Sequence, residues 1–141
     1  MSLIEELKEA PSDLRLSSNF TTLNGIIYFT SGMLLIVWPG AVQTILGEGE
    51  FAGREAALFR AFGLSVAVIG WLYFFGGRSG GRQVVAASVV DRIILVPMVL
   101  IPIALAGVFP RLFWTFAILD PLLGITAWYL LARERRVATE T

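Results

Sequence analysis

A chain of 141 residues has room for one compact unit, and only 16% of it is charged, against about 25% in a typical soluble domain. With 56% apolar residues and a mean hydropathy of +0.74, the balance is that of a membrane protein. A net charge of zero argues against nucleic acid as a partner, and the lack of cysteine and histidine excludes disulfides and thiol chemistry and removes the commonest metal ligand, so no metal site and no cofactor is expected.

Residues 1–19 are polar, with Glu5, Glu6, Glu9 and Asp13 against Lys8 and Arg15. They lack the basic start, apolar run and small-residue cleavage site of a signal peptide. Ser2 and Glu5 have capping-box spacing, Leu3, Ile4 and Leu7 would line one side of a short helix, and Pro11 would end it. The segment reads either as a frayed cytosolic tail or as an amphipathic helix on the membrane surface.

Phe20 to Leu46 is the first predicted span, capped by Ser18 or Asn19, with Pro39-Gly40 marking its far end or a kink. Residues 47–55 are glycine-rich and acidic and predict a loop. Ala56 to Phe75 is the second span, about 30 Å long as a helix, which matches the hydrocarbon thickness of a bilayer. Residues 76–82 form a flexible basic loop. Val84 to Val108 is the third span, and Leu112 to Ala132 the fourth. The short Phe109-Pro110-Arg111 connection makes these two antiparallel neighbours. Residues 133–141 are a basic tail.

The expected fold is therefore all-α: an integral membrane four-helix bundle, antiparallel and up-down. Lys8, Arg15, Arg78, Arg82, Arg133, Arg135 and Arg136 fall on the side shared by both termini, and only Arg54 and Arg111 on the other. The positive-inside rule then places both termini in the cytoplasm, with the chain in the inner membrane of a cell. Trp71, Tyr73, Phe74, Phe75, Trp128 and Tyr129 are expected at the inner interface; Trp38, Phe109, Phe113 and Trp114 near the outer one.

Four charges remain inside the spans: Arg60, Asp91, Arg92 and Asp120. An ion in hydrocarbon costs at least about 2.5 kcal/mol, so these must face protein or trapped water. Helical phase puts Ser88, Asp91, Arg92 and Leu95 on one face of the third span, and Phe113, Phe116, Asp120, Gly124, Ala127 and Leu131 on one face of the fourth. Arg60, Gly63, Ala67 and Trp71 share a face of the second, and Asn24, Tyr28, Ser31 and Leu35 one of the first. With these stripes inward, Asp120 should bond Arg60, Arg92 or both, and Asp91 should find polar partners on the first helix or lie close to water. Arg60, Asp91, Arg92, Asp120, Asn24, Tyr28 and Ser88 are the candidate intramembrane polar cluster. It reads either as bundle glue that fixes register or as the lining of a small polar pocket for a ligand. No catalytic residue is assigned, because no second acid or histidine is placed to share proton work with Asp91.

Pro97 and Pro102 predict a bend in the third span just past Asp91-Arg92. Asp120-Pro121 predicts either a kink or break in the fourth span, or a proline tolerated in a continuous helix. Gly63, Ala67 and Gly70 permit close helix approach, within the chain or across a homodimer face.

Four short spans with both ends inside, an arginine early in the second, and Ser88-x-x-Asp91-Arg92 opening the third resemble the small bacterial DoxX-like and BphX-like membrane proteins. Asp120-Pro121 adds to that resemblance, which covers Asn24 to Ala132. It implies an accessory part of a membrane oxidoreductase system and carries over no catalytic residue; any redox centre would belong to a partner.

Three functions compete. The first is a non-enzymatic membrane protein binding a lipophilic small molecule, or a membrane partner as its accessory subunit, through the charged pocket. The second is a small proton-coupled transporter using Asp91 or Asp120. The third is an intramembrane enzyme acting on a lipid or isoprenoid substrate.

Overall fold

The computed structural model describes residues 15–140, and among these it is all-helical, with no strand. Helix α1 is Leu16–Val37, α2 Ala41–Leu46 and α3 Glu55–Arg78. Helix α4 is Arg82–Leu105 and α5 Pro110–Glu140. Helices α1, α3, α4 and α5 are each long and apolar enough to cross a membrane, the organisation of a multi-pass membrane protein. The helix expected near Ser2–Pro11 lies outside the described residues.

Trp38-Pro39-Gly40 separates α1 from α2, so the predicted 20–46 span is two helices rather than one. Pro39 lacks an amide hydrogen, and Trp38 leaves helical geometry at φ −132°, ψ 78° while still donating to the Leu34 carbonyl. The start of α1 also differs from expectation: neither Ser18 nor Asn19 caps it. Glu134, near the end of α5, accepts from the Ser17 amide at 2.8 Å and from the Ser17 hydroxyl at 2.7 Å. A carboxylate brought in from another helix thus satisfies a free first-turn amide.

Helices α1 and α3 share the most extensive contact in the molecule. A Cβ on Gly70 would lie 2.2 Å from the Phe29 amide nitrogen, and one on Gly32 2.3 Å from that of Ala67. Gly25 meets Gly70 and Phe74, Gly32 meets Gly63 and Ala67, and Gly77 meets Ser18 and Thr22. Glycines at seven-residue spacing let the two backbones touch, which side chains of any size would prevent. The small-residue stripe of α3 is therefore used within the chain, not offered to a second copy. Its buried face is Phe59, Gly63, Val66, Ala67, Gly70, Tyr73 and Gly77.

Helices α4 and α5 form the second pair, with Gly124 against Arg92 and Ile93. Asp91–Leu95 is a single π-helical turn, closed by a bond from the Val96 amide to the Asp91 carbonyl. The expected bend at the prolines is thus taken up as a change of register one turn before Pro97, whose ring cannot share an α-helical turn with the carbonyl at position 93 without a clash. Helix α5 runs unbroken through Pro121. At the end opposite Ser17, Phe51, Phe59 and Phe109 stack within 4.7–5.9 Å of one another. There the Arg111 guanidinium donates to the Leu46 and Gly47 carbonyls, and Glu48 accepts from the Leu112 amide at 2.7 Å. The 47–55 segment is tied down by these contacts, although its composition alone predicts only a loop.

Candidate functional site

The polar cluster lies where the two helix pairs meet. Helix α1 supplies Asn24 and, one turn on, Tyr28; α3 supplies Tyr73; α4 supplies Asp91 and Arg92 from its π turn; α5 supplies Asp120. Arg92 is 1% exposed, the largest fully buried side chain among the described residues. Its guanidinium carbon is 4.5 Å from the Tyr73 ring centroid and 5.1 Å from that of Tyr28. Those two rings meet edge to face at 5.8 Å. The cation is thus held on aromatic faces, an arrangement that strengthens as water is excluded. The Tyr73 hydroxyl donates to Asp91 Oδ2 at 2.8 Å.

Hydrogen-bonding capacity is left over in the same place. Nε and both Nη atoms of Arg92, Nδ2 and Oδ1 of Asn24, the Tyr28 hydroxyl and Oδ1 of Asp120 are all buried without a protein partner. A buried polar group left so costs about 1–3 kcal/mol, and interiors avoid more than a few of them. Seven such atoms lie on four buried side chains, of which Tyr28 contacts Arg92 and shares a cavity with Asp120.

Three cavities adjoin them. One of about 250 Å³ opens between α3, α4 and α5, with Tyr28, Asp91 and Asp120 among apolar walls that include Phe62, Val66 and Phe116. A second, of about 630 Å³, runs between α3 and α4 past Tyr73, Ser88 and Asp91. The third, about 230 Å³, lies between α1, α2 and α5, is almost wholly apolar, and shares Tyr28 and Phe116 with the first. The rim of the first cavity is formed by Leu95 and Val99, about half exposed, so it faces the surface that lipid would cover. Among the described residues no group of three or more acidic side chains is placed to hold a metal ion.

Of the seven expected site residues, the structure brings together Tyr28, Asp91, Arg92 and Asp120, while Asn24 is buried one turn before Tyr28 with its amide unpartnered. Ser88 is buried beside them but bonds its own helix, donating to the Val85 carbonyl at 2.8 Å. Arg60 is elsewhere: it is exposed, and its Nε donates to the Ile36 carbonyl at 3.3 Å, in the last turn of α1. The expected Asp120–Arg60 and Asp120–Arg92 bonds are not made, since Asp120 Oδ1 and all three Arg92 nitrogens are unpartnered. The reason for the first is helical phase. Helix α3 turns Phe59 inward instead of Arg60, and Tyr73 instead of Trp71, which is 48% exposed. Asp91 takes its partner from α3, not from the first helix.

Tyr73 is the cluster residue that reading the chain as a sequence misses, because it sits in an aromatic run that resembles an interfacial belt. The signal was present. Tyr73 follows Gly70 by three residues and precedes Gly77 by four, which puts it on the glycine face. No family model matches this chain, and neither does any curated protein or solved structure.

Proposed function

We propose that the chain is a non-enzymatic protein of the bacterial inner membrane that binds a lipophilic molecule by its polar end in the cleft between α3, α4 and α5. One observation carries this reading. Asp120 and Tyr28, each more than nine-tenths buried, line an apolar cavity whose rim faces lipid, and each has a buried oxygen atom without a protein partner. A ligand entering sideways from the bilayer would give those atoms partners and leave its apolar part among Leu95, Val99 and the surrounding lipid. Glue would be expected to satisfy itself, as buried polar groups do. Native mass spectrometry of the protein released from mild detergent tests the proposal: a retained amphiphile, lost in Asp120→Asn, is the expected result.

In this reading the helices are antiparallel and both termini are cytoplasmic. The order of the contacts supports the first point, since Ser18, Gly25 and Gly32 meet Gly77, Gly70 and Gly63 in turn. The excess of arginine near Ser17, the 79–81 turn and the end of α5 supports the second. Single cysteines at Ser79 and Gly49 test it: Ser79→Cys should react with a membrane-impermeant thiol reagent only from the cytoplasmic side, Gly49→Cys only from the opposite one.

Proton-coupled transport is the second reading, and what favours it is Asp120 itself, a buried carboxyl group with no ion-pair partner. In proteoliposomes with an internal pH-sensitive dye, transport predicts a proton flux that follows the ligand gradient and disappears in Asp120→Asn.

A further inference from the structure

The charges at the cleft do not balance. Arg92 contributes one positive charge, and Asp91 and Asp120 contribute two carboxylates. The groups facing them from the neighbouring helices, Asn24 and Tyr28 on α1 and Tyr73 on α3, add no cation, and Arg60 lies on the exposed surface of α3. Asp91, next to Arg92 in the chain, accepts from Tyr73, whose ring face in turn carries the Arg92 guanidinium. Asp120 is left without a counterpart. In a hydrocarbon slab that charge must be met by a proton or by a cation.

We infer that the polar end this cleft accepts is a protonated amine, so that the ligand class is a lipophilic monoamine; the inference rests on the ligand-binding reading above. Asp120 and Tyr28 line the cleft, and each carries a buried oxygen able to accept that has no protein partner, Oδ1 of Asp120 and the hydroxyl of Tyr28. An ammonium group carries three donors and no acceptor, which suits both. Phe62 and Phe116 line the same cavity, their rings edge to face with centroids 6.4 Å apart, and aromatic rings at a cation's side favour it over an anion. A carboxylate or phosphate end would add a third negative charge beside two. A hydroxyl end would bond Asp120 but supply no charge, so that the carboxyl group would have to hold a proton. The three Arg92 nitrogens do not reverse this order, because Arg92 does not line the cavity and rests on the Tyr28 and Tyr73 rings. At about 250 Å³ the cavity holds a head and the first few carbons, so the rest of a long chain would lie along the exposed side chains of Leu95 and Val99.

The test uses the full chain in phosphatidylcholine nanodiscs and three probes of one chain length: hexadecylamine, hexadecanol and hexadecanoate. Binding is read by native mass spectrometry. The expected result is binding of the amine at least about tenfold tighter than either other probe. Asp120→Asn should bring the amine to the level of the alcohol. Tyr28→Phe, which keeps the carboxylate and the ring, should weaken the amine several-fold and serves if the Asp120 variant does not fold. Equal or tighter binding of the alcohol or the acid, or amine binding indifferent to both substitutions, would overturn the amine assignment while leaving the cleft a ligand site. If none of the probes binds and the purified protein carries no amphiphile, the ligand-binding reading falls as well.

Discussion

Arg92 rests on the face of Tyr73, its guanidinium carbon 4.5 Å from the ring centroid, while the hydroxyl of that same ring donates to Asp91. One tyrosine therefore steadies both members of an adjacent acid–base pair, through its ring for the cation and through its oxygen for the anion. The two contributions separate by mutation. Tyr73→Phe keeps the ring and should cost about 1 kcal/mol for the lost hydrogen bond. Tyr73→Leu should cost about 2 kcal/mol more, because a desolvated cation also loses an aromatic face. Reversible unfolding in detergent measures both, and equal losses would show that the ring contributes nothing beyond its bulk.

The two intramembrane arginines should behave differently. Arg60→Gln alters an exposed side chain with one carbonyl contact and should change stability by no more than about 0.5 kcal/mol. Arg92→Gln removes a fully buried cation from the faces of Tyr28 and Tyr73 and should cost about 2 kcal/mol or more. Melting temperatures of the two variants, compared in one detergent, check this; similar shifts would mean that Arg60 joins the cluster.

The α1–α3 seam should tolerate no added carbon. Gly70→Ala would place a methyl group 2.2 Å from the Phe29 backbone, and forcing the helices apart should cost about 1–3 kcal/mol. Gly49→Ala, with nothing within 4 Å, is the matched control and should be silent. Unfolding curves of the pair provide the measurement.

Removing the cap from a distant helix should fray a specific turn. Glu134→Ala deletes both bonds to Ser17 and should cost about 0.5–2 kcal/mol. Hydrogen exchange should speed up at the first-turn amides of α1 and stay unchanged in its middle. Uniform faster exchange along the helix would instead point to loss of the whole contact between α1 and α5.

Span number and most of the buried faces are written in the chain itself. Membrane helices satisfy their own backbones, so a run of apolar residues long enough to cross a bilayer specifies its structure locally. Three of the four inward stripes, carrying Asn24 and Tyr28, Ser88 and Arg92, and Asp120 and Gly124, follow from the period of 3.6 residues and were legible for that reason. The fourth stripe was decided by tertiary contact. Either of two adjacent phases of α3 buries small residues, and only the fit of Gly63, Gly70 and Gly77 against α1 selects the one that turns Tyr73 in and Arg60 out. The same holds for pairing. Four charges in a row of spans say that compensation is needed, but partner choice depends on the close backbone approach of α1 and α3 and on the π turn at Asp91–Leu95, and neither is a property of any short stretch.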